Sequence, residues 1–324
     1  MKCNCCGSDR HYIHEINQHH FTNCAQCGLM FTDRPTKDRI IDHYREVDPH
    51  ETVAAAKRPF FKAALVHLST QTRDPDRSIL DVGCGFGYFL EDAAKTGWVP
   101  FGVEILEDAV TVARDRFGKK QIFHGSLQSA RYPSNTFHAV TAWDVLVVVD
   151  DPFREVRECY RILKPGGTIG IRVRNVLFEK AVYTVFRTIQ PVAGKMGIRH
   201  PYVFHTYCFT PISLKYLFHR AGFERVSIEN SPLTKGDPYA YTPFRWLTTS
   251  AKVMVETLTS RLFSLSNGRW VLGPSLLVGQ PSRDPGGRTP FRSGGGIQTS
   301  RNPARLPSPL KSGISQGPMR STSG

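Results

Sequence analysis

Two groups of residues in this sequence combine types and spacings that suit ligand chemistry, and the first is the run DVGCGFG at residues 81–87. Gly83 and Gly85 let the backbone pass close to a ligand, because glycine has no side chain to block the approach. A helix that begins near Phe86 would present its free N–H groups at the same place. Asp81, at the end of the preceding apolar strand, can contact a ligand or brace the loop.

An acidic residue stands where a second strand is predicted to end. Glu104 ends the run GVE, 17 residues after Gly87, and a carboxylate there can accept hydrogen bonds from both hydroxyls of a ribose. The alternative is an ordinary surface glutamate. A dinucleotide site would show G-x-G-x-x-G, and a nucleotide hydrolase would show a lysine after the loop, but the sequence has neither. The two runs together predict a ligand with an adenosine group.

The second group is a pair of cysteine knuckles near the N-terminus. Five of the eight cysteines lie in the first 27 residues, in the runs CNCCG at 3–7 and CAQCG at 24–28. Two such knuckles complete a closed tetrahedral site of four thiolates, which is typical of structural zinc. The predicted ligands are Cys3, Cys6, Cys24 and Cys27. Other residues that could compete for the metal are Cys5 and the histidines His11, His14, His19 and His20. A disulfide framework would need an oxidising compartment, and the polar, cysteine-bearing first 20 residues give no evidence of targeting to one.

The elements that position these groups alternate between strand and helix from residue 78 onward. The pattern predicts strands at 78–82, 99–104, 121–124, 137–143 and 168–173, with helices ending near residues 95, 117 and 163. Helices between strands imply parallel pairing and right-handed crossovers, hence an α/β, doubly wound sheet. We interpret KPGG at 164–167 as the turn between a helix and the next strand. Beyond an insertion to about residue 210, the predicted elements are a helix at 211–221, a strand at 223–229, an amphipathic stretch at 243–263 and a strand at 275–278.

Composition divides the chain into four predicted parts. They are a zinc ribbon (1–32), a helical connector or lid (33–77), the α/β domain (78–280) and a disordered tail rich in Gly, Pro, Ser and Arg (281–324). The net charge is +14, but the tail from residue 282 carries +6 of it, which leaves +8 on the rest. The charge alone is therefore a weak argument for a nucleic-acid partner. No apolar run reaches the roughly 18 to 20 residues of a membrane-spanning helix, so we expect a cytoplasmic protein.

From about residue 3 to 280 the chain resembles the class I S-adenosylmethionine-dependent methyltransferases, in particular bacterial members with an N-terminal C-x2-C…C-x2-C zinc ribbon. The resemblance rests on ILDVGCGFG at 79–87, GVE at 102–104 and LKPGG at 163–167. It implies a Rossmann-like, seven-stranded, mostly parallel sheet with an antiparallel last strand, and S-adenosylmethionine as the cofactor besides structural Zn2+. The cofactor-binding residues that it implies are Asp81, Gly83, Cys84, Gly85, Gly87, Glu104, Ser126, Leu127 and Trp143.

The sequence departs from the family at two positions. Ser126 stands where an acidic residue commonly lies near the adenine, and valines follow Asp144 where relatives often carry a Glu-His pair. A general base is therefore sought elsewhere, and the candidates are Asp144 itself and His205 with Tyr207. The last two lie in HTYCFT at 205–210, which resembles a His-x-Tyr-x-Phe-Ser/Thr stretch of the family. His205 could act as a base near neutral pH or make a structural hydrogen bond.

The methyl acceptor is the least defined part of the prediction. Residues 143–146 read WDVL and lack the Asn-Pro-Pro-Tyr of amino-directed nucleic-acid methyltransferases. Relatives with this ribbon tend to act on small molecules, so the predicted acceptor is a small-molecule or lipid-linked metabolite of sugar, quinone or polyketide type. Residues 243–263 could contact a membrane surface or pack in the core. Two alternatives stay open: an RNA methyltransferase whose ribbon recognises RNA, and a cofactor-binding protein that has lost catalysis.

Overall fold

Strands and helices alternate along the chain, for which the computed structural model describes residues 2–16, 19–32, 50–71, 74, 76–195, 205–231 and 245–281. The strands are β1 (His11–Ile16), β2 (His19–Cys24), β3 (Met30–Phe31), β4 (Ser78–Val82), β5 (Val99–Glu104), β6 (Ile122–His124), β7 (Phe137–Trp143), β8 (Leu163–Arg174), β9 (Tyr207–Cys208), β10 (Ser227–Asn230) and β11 (Ser275–Pro281). The helices are α1 (His50–Gln71), α2 (Tyr88–Lys95), α3 (Glu107–Phe117), α4 (Leu127–Ala130), α5 (Pro152–Ile162), α6 (Val176–Lys195), α7 (Pro211–Ala221) and α8 (Arg245–Leu265).

The larger sheet has seven strands in the order β10-β11-β8-β7-β4-β5-β6. Strands β4 to β8 pair in parallel, whereas β11 runs antiparallel to both of its neighbours, β8 and β10. The predicted doubly wound sheet with an antiparallel last strand is thus confirmed. From β4 the chain builds outward first through β5 and β6 and then, on the other side, through β7 and β8. The carboxyl ends of β4, β5 and β7 therefore meet at a topological switch point, where ligands bind in sheets of this kind.

Apolar side chains cover both faces of the sheet, as parallel strands require. On one face, α1 and α2 contribute Phe60 and Phe89 to a cluster that reaches Trp143 at the end of β7. On the other face, α5 and α7 contribute side chains such as Val156 and Phe218. Aromatic side chains of this size bury large apolar areas, so the two clusters fix the helices on the sheet that carries the site.

The KPGG segment is not the separate turn that we predicted. Strand β8 begins at Leu163, opposite Phe137 of β7, and the next paired residues are Ala139 and Thr168. Residues 164–167 of β8 therefore lie opposite a single residue of β7. Within them, Gly166 has a φ of 77°. Pairing continues on both sides of this irregularity, so the segment is a bulge within a strand.

A second sheet joins the N-terminal region to the α/β domain. Its order is β1-β2-β3-β9, and the last pairing brings Met30 opposite Cys208 and Phe31 opposite Tyr207. Strand β9 lies in the insertion before residue 210, to which we assigned no element from the sequence. The side chain of Phe31 belongs to the same buried cluster as Phe209 and Phe218 of the α/β domain. The N-terminal region therefore shares both a sheet and a core with the domain that follows it.

Helix α1 lies in the predicted helical connector, and its buried side chains recur at helical spacing: Phe60, Phe61, Ala64, Leu65 and Leu68. Residues 33–49 of the connector, 196–204 of the insertion and 282–324 of the tail lie outside the described residues. The predicted disorder of the tail therefore stays a prediction. Among the helices of the described ranges, none has the length and apolar character needed to cross a membrane.

Candidate active site

The glycine loop after β4 lies against the end of β5. The backbone N–H groups of Gly83 and Cys84 both donate to the carbonyl of Val103, at 2.8 and 3.1 Å. These bonds turn the chain at the carboxyl edge of the sheet and start α2 at Tyr88. The loop is thus fixed by backbone groups, which leaves its outer side free for a ligand.

The three glycines of the loop have different surroundings, although each has a left-handed backbone. A Cβ atom on Gly83, where φ is 69°, would lie 2.6 Å from Cγ2 of Val145, and one on Gly87 would lie 2.8 Å from the ring of Phe117. A Cβ on Gly85, where φ is 52°, would have no described atom within 4 Å. Gly83 and Gly87 are therefore required by packing, whereas Gly85 faces open space where a ligand can approach.

Glu104 is buried at the end of β5, with 7% of its surface exposed. One carboxylate oxygen accepts the backbone N–H of Gly85 at 2.8 Å, and the other accepts those of Ile105 and Leu106 at 2.7 and 3.0 Å. A carboxylate can accept about four hydrogen bonds, so it retains capacity for a ligand. The side chain that we predicted to bind a ribose therefore lies directly beside the open side of the glycine loop.

Asp81 lies beneath the loop and is almost completely buried. Burial raises the pKa of its carboxyl to about 8, although the hydroxyl of Thr141, which donates to it at 2.7 Å, and the charge of Lys57 act in the opposite direction. Glu104 contributes to the increase through charge repulsion. A carboxyl in this state gains a favourable interaction when a positive charge comes close.

The other predicted cofactor-binding residues surround the same edge but differ in what they expose. Cys84 points inward, because its Sγ would lie 2.5 Å from a Cβ on Gly102, so its backbone faces the site. Ser126 is exposed and caps α4 by accepting the N–H of Ser129 at 3.2 Å, whereas Leu127 is buried.

Trp143 packs edge-on against two aromatic rings, those of Phe60 and Phe89, at centroid distances of 4.9 and 5.2 Å. Its Nε1 is buried and has no hydrogen-bond partner among the described residues. An unpaired buried donor is costly, so it marks a place where a ligand acceptor would be favourable.

A charged cluster that sequence reasoning missed surrounds Asp144 at the end of β7. One carboxylate oxygen lies 2.8 Å from Nη1 of Arg172 on β8 and 3.4 Å from Nζ of Lys57 on α1. Burial acts to raise the pKa of Asp144, but these two cations outweigh it and hold the pKa below its usual value. The signal for Arg172 was a basic residue inside an apolar strand, whereas nothing in the sequence singled out Lys57.

The second oxygen of Asp144 is buried and unpaired within the described part of the chain. Asp144 also has a φ of 64°, a left-handed conformation that aspartate tolerates better than most residues. Arg172 is held by further contacts with the hydroxyls of Ser231 and Ser275, at 3.1 and 3.4 Å, and its guanidinium lies over the ring of Phe60. The cluster therefore fixes the carboxylate firmly and leaves one oxygen available.

His205 and Tyr207 have different environments. Burial lowers the pKa of His205 to about 4, Arg174 lowers it further and Asp144 opposes both. Its Nδ1 is buried without a hydrogen-bond partner in the described structure. The hydroxyl of Tyr207 instead donates to the carbonyl of Asp150 at 2.9 Å and accepts from Asn4 at 3.2 Å. Tyr207 would have to leave both partners to act on an acceptor.

The four predicted metal ligands lie together in the N-terminal region. The sulfur atoms of Cys3, Cys6, Cys24 and Cys27 lie within 4.8 Å of one another. Two of the separations, Cys3 to Cys27 and Cys6 to Cys24, are 3.6 and 3.5 Å. Zinc with bonds of about 2.3 Å to four tetrahedral thiolates would place sulfurs about 3.8 Å apart. The residues fit such an ion, and Cys5 lies outside the group.

The fold and the loop define a class of protein: an α/β domain of this topology, with the loop bonded to the acid of the next strand, is a class I S-adenosylmethionine-dependent methyltransferase domain. A family model described as a methyltransferase domain matches residues 54–228, more than half of the chain. The chain therefore belongs to this methyltransferase family.

Individual relatives are more distant. A ubiquinone biosynthesis O-methyltransferase of Coxiella burnetii is 28% identical over 125 residues, which are 37% of this chain and 53% of the relative. An S-adenosylmethionine-dependent methyltransferase of Mycolicibacterium smegmatis is 28% identical over 165 residues, which are 51% of this chain and 59% of the relative. The chain thus spans little more than half the length of these curated relatives.

One solved structure supports the fold. It is a chain from the complex between the Haloferax volcanii Trm112 methyltransferase activator and a methyltransferase, with a TM-score of 0.53 and 19% identity. The match covers 78% of this chain and 100% of that one. At this identity the similarity concerns the fold alone.

Proposed function

We propose that this protein transfers a methyl group from S-adenosylmethionine to a small-molecule or lipid-linked acceptor. The observation that carries the proposal is a pair of buried polar atoms at one edge of the sheet, Asp144 Oδ1 and His205 Nδ1, which have no hydrogen-bond partner among the described residues. Buried polar groups are normally hydrogen-bonded, and those that are not can have a catalytic role or bind a water or an ion. An acceptor that bonds to both atoms would lie beside the glycine loop, because Asp144 directly follows the strand next to β4.

The residues at the loop suit the parts of the cofactor. Glu104 has lone pairs for the ribose hydroxyls, and the open side of Gly85 leaves room for the backbone to approach the ligand. Asp81 offers a buried carboxyl to the cationic amino group of the methionine part. Ser126 and Leu127 lie next to the end of β5, because the N–H of Gly125 donates to the carbonyl of Glu104 at 2.8 Å. We propose that Glu104, Ser126 and Leu127 form the adenosine side of the site.

When bound, S-adenosylmethionine supplies a methyl group already activated on a sulfonium. The chain has to align the acceptor with that methyl group, exclude water and receive a proton. His205 is neutral at physiological pH because burial lowers its pKa to about 4, so the nitrogen that has no partner among the described residues can accept a hydrogen bond from an acceptor hydroxyl. Asp144 is held ionised by Arg172 and Lys57, and its free oxygen can orient that hydroxyl.

A quinone-type or other hydroxyl-bearing metabolite suits this arrangement best. The two unpaired atoms can accept or share a hydroxyl proton, and the Coxiella burnetii relative is named for ubiquinone biosynthesis. Sugar and polyketide acceptors present the same hydroxyl chemistry. Binding of RNA with a steep dependence on salt concentration would instead favour RNA as the methyl acceptor.

We propose further that Cys3, Cys6, Cys24 and Cys27 bind one structural Zn2+ as an N-terminal ribbon. The separations of the sulfurs and the burial of three of the four residues support this. A site closed by four thiolates has no open position for a substrate, so its role would be structural. Metal analysis of the purified full chain, with one zinc per chain expected, tests the assignment.

A peripheral contact with membranes is proposed for the lipid-linked case. Helix α8 exposes Met254, Leu258 and Leu265, spaced so that they lie along one side of the helix, with Arg261 between them. Such a stripe suits the interface of an anionic bilayer. Of the predicted segment, residues 243 and 244 lie outside the described residues. Sedimentation with vesicles containing phosphatidylglycerol tests the contact, and Leu258→Glu with Leu265→Glu should abolish it.

Calorimetry with S-adenosylhomocysteine and the full chain is the first test of the function. Micromolar binding is expected, and no binding would contradict the proposal. Transfer of radiolabel from S-adenosylmethionine to phenolic, catecholic and sugar acceptors then identifies the acceptor class. Binding of the cofactor without transfer to any acceptor, RNA included, would favour the non-catalytic alternative.

A further inference from the structure

We infer that the four-cysteine ribbon holds the acceptor-side segment 205–210 in place, and that Thr210 is the positioning residue that connects the two. The inference rests on the proposed function, because it assigns to the ribbon the placement of His205. It goes beyond a structural zinc site, since it names the part of the active site that depends on the ribbon. The argument starts from the hydrogen bonds on the two sides of this segment.

The ribbon side of the segment is a strand pairing. Strand β9 lies antiparallel to β3, and the N–H of Thr32 donates to the carbonyl of Thr206 at 3.0 Å. The rings of Phe31 and Tyr207 are stacked with centroids 6.3 Å apart. The residue next to His205 is therefore bonded directly to the end of the ribbon.

Thr210 connects the segment to a metal-binding knuckle. Its buried hydroxyl donates to the carbonyl of Cys27 at 2.9 Å and accepts the N–H of Ser213 at 3.0 Å, which caps α7. A Cβ on the next knuckle residue, Gly28, would lie 3.2 Å from the methyl group of Thr210. The knuckle backbone and the start of α7 are thus joined through one hydroxyl group.

The other side of the segment contacts the catalytic edge of the large sheet. The N–H of Tyr207 donates to the carbonyl of Val147 at 3.0 Å, and the carbonyl of Phe209 accepts the N–H of Val176 at 3.0 Å. Val147 lies three residues after Asp144, and Val176 follows the end of β8. The segment is therefore held between the ribbon and the strand ends that carry Asp144 and Arg172.

The cofactor side of the site has no such connection. The N–H of Gly83 donates to Val103 of β5, and the carboxylate of Glu104 accepts N–H groups from Gly85 and from the two residues that follow Glu104. Within the described ranges, none of these groups forms a hydrogen bond with the ribbon. Loss of order in the ribbon should therefore reach the acceptor side and spare the cofactor side. This separation is what makes the inference testable.

Hydrogen exchange on the full chain, with and without metal, tests it. Removal of zinc by a chelator, verified by metal analysis, should accelerate exchange at residues 206–210 by about tenfold or more, because their bonds to the ribbon are weakened. Affinity for S-adenosylhomocysteine should change less than about twofold. Unchanged exchange at 206–210 after the metal has left, or the absence of metal at the start, would overturn the inference. An equal loss of cofactor affinity would also overturn it, because the whole domain would then depend on the ribbon.

Variants at Thr210 separate positioning from general stability. Thr210→Val removes the hydroxyl and should accelerate exchange at 206–210 while zinc content and cofactor affinity stay as in the wild type. Thr210→Ser retains the hydroxyl and should restore slow exchange. Thr96→Val is the matched control, because its hydroxyl donates to Ala93 at the end of α2, and it should leave 206–210 unchanged. If Thr210→Val behaves like Thr96→Val, Thr210 has no positioning role.

Failure of the wild type to bind S-adenosylhomocysteine would instead contradict the proposed function.

Discussion

The carboxylate of Glu104 accepts the backbone N–H of Gly85 at 2.8 Å, so the tip of the glycine loop is bonded to the end of the neighbouring strand. The same carboxylate takes two more N–H groups, from Ile105 and Leu106. A single side chain thus shapes the loop and faces the proposed cofactor. Both roles depend on its having two negatively charged acceptor oxygens.

We therefore expect Glu104→Gln to lower affinity for S-adenosylhomocysteine by about 10- to 100-fold, because a charged acceptor of the ribose hydroxyls is lost. The amide group would also place N–H against backbone N–H, at a cost of about 1–3 kcal/mol in the free energy of unfolding. Calorimetry and urea unfolding measure the two effects. Glu107→Gln, at the start of α3, is the control. Wild-type affinity in Glu104→Gln would remove this residue from the site.

The glycines of the loop should respond differently to alanine. Gly83→Ala brings a Cβ within 2.6 Å of Val145, so it should destabilise the fold by several kcal/mol. Gly85→Ala meets open space and should cost only about 1 kcal/mol for the left-handed backbone, while it weakens cofactor binding. Thermal unfolding and calorimetry of both variants test this contrast. Equal stability losses would show that Gly85 also serves packing.

Cofactor binding should release a proton from Asp81. Its pKa is raised to about 8 in the free protein, so it is mostly protonated at pH 7. A cationic amino group close by favours the carboxylate and lowers that pKa. The binding enthalpy at pH 7 should therefore depend on the ionisation enthalpy of the buffer, with nearly one proton released, and the release should be smaller at pH 8.5. Asp81→Asn retains the shape and should show no release at either pH.

The pair of Asp144 and Arg172 should contribute measurably to stability. Asparagine tolerates the left-handed backbone of residue 144, so Asp144→Asn removes the negative charge without straining the chain. The variant leaves the buried guanidinium of Arg172 without its carboxylate. Because Asp144 is 24% exposed, we expect a loss of about 2 kcal/mol rather than the 3–5 kcal/mol of a fully buried pair. Urea unfolding of Asp144→Asn, Arg172→Met and the double variant measures their coupling. Additive losses would mean that the two side chains do not stabilise each other.

Stability should fall in acid because of His205. Its folded pKa of about 4 lies below the value of about 6.5 for an unfolded chain, so the unfolded state binds the proton first as the pH decreases. This histidine's contribution is complete at about pH 7.5 and above, and it should be reduced by about 2.5 kcal/mol at pH 4.5. His205→Asn should lack this part of the loss. His67, whose pKa burial also lowers to about 4, is unchanged in the variant and serves as the internal control. Identical pH profiles for variant and wild type would contradict the prediction.

Features that depend on neighbouring residues were predictable from the sequence. Strand β4 and helix α7 have the predicted bounds, since an apolar run and a capping threonine followed by proline are local signals. The glycine loop and Glu104 come together because parallel strands end at one edge of the sheet. The same holds for the cysteine knuckles, where spacing alone indicates four ligands.

Features that depend on distant pairing were not predictable. Lys57 reaches Asp144 from a helix that carries no signal of charge complementarity, and β9 has only two residues. A two-residue strand has no periodicity to detect, and its partner β3 is equally short. The bulge at 164–167 was interpreted as a turn because Pro and Gly are typical of both.

The pairing of β3 with β9 also determines when the N-terminal region can be completed during synthesis. Met30 and Cys208 differ by 178 positions, so the sheet that β1 to β3 begin is completed only after β9 has been synthesised. Until then β3 presents an unpaired edge, which is open to wrong partners. The ribbon strands are thus made before the α/β domain but reach their final pairing only after most of its parallel strands exist.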